Sequence, residues 1–237
     1  MAVNLKTFRT VDVELRTPAR CLLCGTRGVH KAGLCEACAS ELPHNDRCCA
    51  RCALPLESPS ALCGRCIRRA PPWDSAWAPF RYAWPLDRLE ARFKFGGDLA
   101  AGRVLAHAWC GSTAPSELPQ AIVPVPLHRA RLRSRGYNQS LELAKPLSKS
   151  MRIPLLREAL QRMRDTAAQS ELTAVQRRRN VRGAFLAHFD SDPPQHLAIL
   201  DDVFTTGATL AECARVLKRA GVKRVDVWAL ARAPTPG

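Results

Sequence analysis

No stretch of this chain approaches the ~18 uninterrupted apolar residues that a membrane span requires. The opening Met1-Ala-Val-Asn-Leu-Lys6 has no apolar segment of the kind that directs export. A cytoplasmic protein without a membrane span is the expectation. Two nucleotide-binding signatures are also missing: there is no G-x-x-x-x-G-K-[ST] and no G-x-G-x-x-G, so neither a P-loop nor a Rossmann dinucleotide site is supported. The six histidines are scattered, and none pairs with a cysteine in a protease-like arrangement. Composition argues against disorder, since 46% hydrophobic and 24% charged residues lie near the globular average. The 237 residues give room for one domain of ordinary size and a smaller module.

What the chain does have is positive charge: 36 Lys and Arg face 21 Asp and Glu, a formal net charge of +15 at pH 7. Residues 1–70 carry +5 of this and residues 71–237 carry +10. Two runs concentrate it, Arg129, Arg131, Arg133 and Arg135, then Arg177, Arg178, Arg179 and Arg182. Such runs are either solvated faces or surfaces for phosphate, so the anionic partner to consider is a nucleotide or a single-stranded nucleic acid.

Eleven cysteines require an account, and nine of them fall between Cys21 and Cys66. Eight form four C-x-x-C pairs in a duplicated pattern. Cys21-x2-Cys24-x10-Cys35-x2-Cys38 has the spacing of Cys49-x2-Cys52-x10-Cys63-x2-Cys66, offset by 28 residues. Each knuckle turns two thiolates toward one ion, and two knuckles complete the tetrahedral sulfur set that zinc prefers. Gly25 and Gly64, each just after a knuckle cysteine, suit the turn. The missing export signal weighs against disulfides, and an iron–sulfur cluster is the other alternative to zinc. We therefore expect a cysteine-rich double zinc-ribbon module over residues 1–70, holding two structural Zn2+ and drawing much of its folding free energy from them. Knuckles are expected to pair sequentially, because the spacing repeats within each copy; cross-braced pairing, and Cys48 in place of Cys49, are the alternatives. Cys213 lies in an apolar stripe with Leu210, Ala214 and Leu217, and Cys110 ends another, so both read as core.

Pro71-Pro72 closes this module. Residues 71–237 read as a second domain. Aromatics alternate from Ala76 to Trp84 as in a strand, helical patterns follow over Leu86–Phe95 and Asp98–Trp109, and Gly96-Gly97 separates them. Ala121–Pro126 reads as a short buried strand, Asn138–Met151 as a helix, and 163–183 as a polar, partly helical stretch. A strand at Leu197–Leu200, a helix at Leu210–Ala220 and a strand at Val222–Ala231 close the chain. This alternation predicts an α/β domain with a mainly parallel sheet.

The most informative site is the turn after Leu197-Ala-Ile-Leu200. Asp201 and Asp202 stand at the carboxyl end of that strand, and Thr205-Thr206-Gly207-Ala208-Thr209 leads into the helix. Parallel sheets bind ligands at this end, and a helix N-terminus offers backbone N–H groups to phosphate. Gly207 would let the backbone come close, and the threonines add hydroxyl donors. Thr209 with Glu212 also fits a capping box. Paired carboxylates beside a phosphate cradle suit a sugar with vicinal hydroxyls.

Ile199-Leu-Asp-Asp-Val-Phe-Thr-Thr-Gly-Ala-Thr209 resembles the phosphoribosyl diphosphate (PRPP) binding motif of type I phosphoribosyltransferases. With Val123-Pro-Val-Pro-Leu-His-Arg129, Arg133-Ser-Arg-Gly-Tyr-Asn-Gln139, Asn180-Val-Arg-Gly-Ala-Phe185 and the knuckles before them, the chain resembles the ComF/GntX family from about Cys21 to Arg232. Tyr137 stands where that family often has Phe, and Ala53 where Gly often follows the knuckle.

The resemblance implies a phosphoribosyltransferase-like domain behind a zinc ribbon. By it, Asp201 and Asp202 would be the catalytic carboxylates and hold the ribose hydroxyls. Val203, Thr205, Thr206, Gly207, Ala208 and Thr209 would surround the 5′-phosphate. Val125, Pro126, Leu127, His128 and Arg129 would receive pyrophosphate with help from Arg133 and Arg135, Mg2+ would arrive with PRPP, and residues 163–183 would act as a flap. The expected function is transfer of phosphoribosyl from PRPP to an acceptor with release of pyrophosphate. Beside it stands a non-catalytic PRPP-sensing or single-stranded-DNA-binding factor in DNA uptake, for which Trp73, Trp77 and Trp84 are candidate stacking groups; burial of those tryptophans would count against it. The acceptor and the oligomeric state have no signature in the sequence.

Overall fold

The computed structural model describes residues 20–27, 33–57, 60–164 and 174–234. Each cysteine set contains one short helix, α1 (Glu36–Ser40) and α2 (Gly64–Arg68), which start directly after Cys35 and Cys63. The strand expected from Ala76 to Trp84 is two short strands, β1 (Ser75–Trp77) and β2 (Phe80–Arg81). Ala78-Pro79 interrupts them, and the two freed carbonyls accept instead from Asn45, from its side-chain amide at 3.0 Å and its backbone N–H at 2.8 Å. Proline has no N–H to give a ladder, so the break falls there.

Helices α3 (Leu86–Phe95) and α4 (Leu99–Cys110) flank the expected glycine pair. Asp98 caps α4 by accepting from the N–H groups of Ala100 and Ala101. After β3 (Ala121–Pro124) comes a helix not foreseen, α5 (Arg129–Arg135), and then α6 (Gln139–Met151), capped by Asn138. A small antiparallel pair, β4 (Leu160–Arg162) with β5 (Phe185–Ala187), brackets α7 (Ala174–Val181). The chain closes through β6 (His196–Phe204), α8 (Ala208–Arg219) and β7 (Arg224–Arg232). None of the helices described is long and apolar enough to cross a membrane.

The main sheet is parallel with order β1-β7-β6-β3, and β2 extends the β1 edge of β7. Strands β6 and β7 are buried on both faces, which is why they read as nearly continuous apolar runs. Alternate residues feed two cores. Leu197, Ile199, Val225 and Val227 meet α8, whereas Ala198, Leu200, Trp228 and Leu230 meet α3, α4 and α6. The two cysteine sets take opposite sides: Cys21 and Cys38 join the core of α3, α4 and α6, and Cys49, Cys52, Cys63 and Cys66 join that of α8. Between them, Pro43 to Asn45 follows the β2 edge, where Arg81 N–H donates to Pro43 O at 2.7 Å and Asn45 N–H to Pro79 O.

Candidate functional site

The thiols gather in two sets of four, Cys21/Cys24/Cys35/Cys38 and Cys49/Cys52/Cys63/Cys66, each with its sulfurs within 4.8 Å of one another. The sets pair the knuckles sequentially, and Cys49 rather than Cys48 joins the second set. The Sγ atoms of Cys24 and Cys35 are 3.7 Å apart and those of Cys52 and Cys63 3.6 Å. Zn–S bonds of about 2.3 Å in a tetrahedron place sulfurs about 3.8 Å apart, so both sets fit structural zinc. The cysteines described are free thiols rather than disulfides.

The knuckle turns correct one expectation. In the first set Gly25, at φ +77°, donates its N–H to Cys21 O at 2.9 Å. The matching turn in the second set is made by Ala53, at φ +52°, which donates to Cys49 O at 2.8 Å. Gly64 instead begins α2 and has no left-handed backbone. At Ala53 the left-handed backbone costs a residue with a Cβ about 1–2 kcal/mol. Asn45 stabilises the turn from outside, its amide donating to Ala53 O at 2.9 Å.

At the other centre, β6 runs through Asp201 and Asp202 to Phe204, so the carboxylates lie within the last turns of the ladder rather than beyond it. Ser140, in the first turn of α6, donates its hydroxyl to Asp201 Oδ1 at 2.9 Å. Lys94, near the end of α3, places Nζ 2.8 Å from Asp202 Oδ2 and 3.2 Å from Glu90 Oε1. Tyr82 donates its hydroxyl to Glu90 Oε2 at 3.2 Å. Burial and the neighbouring Asp202 charge push Asp201 up to about 7. Burial works against the Asp202 charge too, but Lys94 and the Val203 N–H hold its pKa below the ordinary value. Burial likewise opposes charge on Lys94, and Asp202 and Glu90 outweigh it to hold its pKa above the usual range. The two carboxylates are therefore unlike: Asp202 is a committed anion, and Asp201 exchanges a proton near neutrality.

Thr205 to Thr209 follows as expected, with a different local design. Gly207, at φ +74°, precedes α8 as its cap without a side-chain bond. A Cβ on it would lie 2.7 Å from the Phe204 ring and 3.0 Å from that of Trp73, so packing and backbone both require glycine. Gly207, not Thr209, is the cap of α8. Glu212 accepts from Gly183 N–H at 2.9 Å and pairs with Arg215. Thr206 Oγ1 accepts from Ala208 N–H at 3.4 Å.

The loop after β3 comes beside this turn because β3 pairs with β6, Pro124 opposite Leu200. Val125 N–H continues the ladder to Leu200 O at 2.8 Å, and Asn138 donates to Val125 O at 3.0 Å. Pro126, Leu127 and His128 are half-buried, and His128 caps α5. Arg129 and Arg133 are exposed, while Arg135 lies over the exposed Phe95 ring at 6.0 Å. Among the described residues no ion pair joins these three arginines to Asp201 or Asp202. Of the expected flap, residues 165–173 lie outside the described residues.

The tryptophans divide. Trp73 is buried and donates to Arg51 O at 2.5 Å. Trp77 packs against Trp109 and Trp228. Only Trp84 of the three is exposed, which removes Trp73 and Trp77 as stacking groups. Lys94, Glu90, Tyr82 and Ser140 escaped the sequence reading. Glu90 and Lys94 are spaced as an ordinary exposed i,i+4 pair, and nothing local reveals that Asp202 completes it.

Residues 13–67 match the family described as Double zinc ribbon domain. The chain is 37% identical over 175 residues to Competence protein F of Haemophilus influenzae, covering 70% of this chain and 76% of the relative. It is 37% identical over 172 residues to DNA utilization protein YhgH of Escherichia coli (strain K12), covering 70% and 75%. Competence protein ComFC of Streptococcus pneumoniae is 26% identical over 155 residues, covering 65% and 67%.

Proposed function

The chain belongs to the ComF family of competence and DNA-utilization proteins, and from that premise we propose that it binds PRPP at the carboxyl end of β6 in the service of DNA uptake. One observation carries the reading: at a single end of a parallel sheet, the unlike pair Asp201 and Asp202 stands directly before the threonine-rich turn into α8. Ligands of parallel α/β sheets sit at that end. In this reading Asp201 accepts from the ribose hydroxyls, and Lys94 holds Asp202 so that the pair keeps its shape. The 5′-phosphate takes the N-terminus of α8 with Thr205 to Thr209. Residues 125–129 receive the diphosphate from the neighbouring strand, with Arg133 and Arg135 on the solvent side. Magnesium accompanies the diphosphate and neutralises part of its charge. The domain over residues 71–237 supplies these groups, and residues 1–70 supply the double ribbon.

Transfer would break the C1′–O bond to pyrophosphate through an oxocarbenium-like centre, and an acceptor nucleophile would then form the new bond at C1′. The residues present stabilise charge and fix both ends of the donor, the two contributions such a reaction needs. Calorimetry of zinc-replete protein with PRPP and magnesium tests the binding. Heat and saturation at one site per chain are expected, and no binding by folded protein overturns the reading. Pyrophosphate release on adding candidate acceptors then separates transfer from sensing.

A second reading rests on α5, whose Arg129-Ala-Arg-Leu-Arg-Ser-Arg135 buries none of its side chains. Its arginines would hold the phosphates of single-stranded DNA, in keeping with the names of the relatives.

A further inference from the structure

Arg232 is 2% exposed and is the one lysine or arginine among the buried residues described. Its guanidinium donates from Nε to Cys52 O at 2.9 Å and from Nη1 to Phe204 O at 2.9 Å and Thr205 O at 2.8 Å, and it also reaches Ala233 O. It lies over the Phe204 ring, 4.5 Å from the centroid. That ring also meets Trp73 edge-on at 5.5 Å, and Trp73 donates to Arg51 O. Two neighbouring carbonyls of one knuckle, Arg51 and Cys52, are thus joined through Trp73 and Arg232 to the residues that open the phosphate turn. Gly207 is packed against the same two rings. The first cysteine set has a different neighbourhood: Leu22 O accepts from Arg92 at 2.6 Å, and Gly33 packs on Val104 of α4.

A buried guanidinium must find acceptors for its N–H donors. Among the described residues the hydrogen bonds of Arg232 all go to carbonyl oxygens. Metal at Cys49, Cys52, Cys63 and Cys66 would hold this knuckle, and with it the Cys52 and Arg51 carbonyls that anchor Arg232 and Trp73, in place. Without metal, the fork that grips Phe204 O and Thr205 O is anchored on one side only.

We propose that Arg232 is a positioning residue that couples the second four-cysteine centre to the phosphate turn, so that metal at Cys49, Cys52, Cys63 and Cys66 and an anionic ligand at Thr205–Thr209 strengthen each other's binding. The first centre stands outside this coupling. The identity of the ligand rests on the PRPP reading above; the mechanical link does not. Linkage requires that the effect be reciprocal.

The test uses the full zinc-replete chain with a colorimetric chelator, and a Cys21→Ser/Cys24→Ser variant assigns the two phases of zinc release. PRPP with magnesium should slow release from the second centre by about fivefold or more, the lower end of ordinary allosteric coupling, and leave the first unchanged. Arg232→Gln should abolish that protection, and Arg232→Lys, which keeps the charge, should recover part of it. An arginine that only holds the fold would lower zinc content and thermal midpoint in Arg232→Gln yet leave protection by ligand in place. A ligand-free measurement covers variants that fold poorly: hydrogen exchange of residues 204–210 in the wild type should quicken when the second centre is stripped and stay unchanged when the first is removed. Unchanged exchange after stripping the second centre overturns the coupling. So does PRPP that binds by calorimetry but protects both centres or neither. PRPP that does not bind overturns the functional reading alone, and exchange then decides the coupling.

Discussion

Neutralising Asp201 and neutralising Asp202 should move stability in opposite directions. Raising an aspartate from 3.8 to about 7 opposes its ionisation by about 4 kcal/mol, at 1.36 kcal/mol for each pH unit. Asp201 keeps some contact with solvent, and its Ser140 bond is partly retained by an amide, so about 2–4 kcal/mol is a fair range for Asp201→Asn at pH 8.5. The sign follows from proton binding. Between pH 3.8 and about 7 the native state holds the proton that the unfolded chain has released, so wild-type stability falls as pH rises through this window. The asparagine variant lacks that fall. It should match the wild type near the acid end and exceed it above neutrality. Asp202 is the reverse case: its depressed pKa means stability that is present above the ordinary aspartate value and lost as pH falls through the native one. Asp202→Asn also strands Lys94 against Glu90, so it should destabilise at pH 8.5 by about 1–3 kcal/mol. Urea unfolding of the two variants and the wild type at several pH values, zinc present throughout, reads the difference directly. An Asp201→Asn protein less stable than wild type at pH 8.5, by an amount that does not change with pH, would refute the assignment of the two roles.

Three further outcomes are expected. Elemental analysis should find close to two zinc ions per chain, one for each thiol set, and chelation should unfold the cysteine modules; protein without zinc and with every thiol titratable would contradict this. Gly207→Val should lower stability by about 2–4 kcal/mol, from left-handed backbone and overpacking against Phe204 and Trp73 together, so thermal melting rather than ligand affinity is its first readout. Single-stranded DNA should bind with an affinity that falls steeply as salt rises, and Arg129→Ala/Arg133→Ala should shallow that slope by about 1–2 in log–log terms; no affinity even at low salt removes the DNA reading of α5.

Much of the architecture was legible where local chemistry and tertiary packing agree. Gly96-Gly97 bounds α3 and α4, and the helices read over Asp98–Trp109 and Asn138–Met151 begin at the residues that the structure makes caps. The repeated cysteine spacing gave sequential pairing. What escaped lies where a distant partner changes the meaning of a residue. Asp201-Asp202 reads as the end of a strand, yet β6 continues because Lys94 neutralises one carboxylate and Ser140 satisfies the other. Arg129–Arg135 has no apolar periodicity, so its helix had no signal beyond a capping histidine. β4 and β5 are three residues each and pair across an intervening helix, which leaves no hairpin pattern. Arg232, at the end of an apolar strand, looks like a polar terminus and is instead buried.

The place of β7 has a consequence for the order of assembly during synthesis. It lies between β1 and β6, so the earlier strand has no strand partner until residues 224–232 have left the ribosome. Asp74 accepts from an N–H 151 positions downstream, and Cys52 O waits for a donor 180 positions away. The metal modules can load and close early, but each then carries an apolar flank meant for a face of a sheet that does not yet exist. Contacts so far apart make slow folding. A nascent chain whose metal sites load first would present two apolar flanks that stay uncovered until the final strand inserts between β1 and β6.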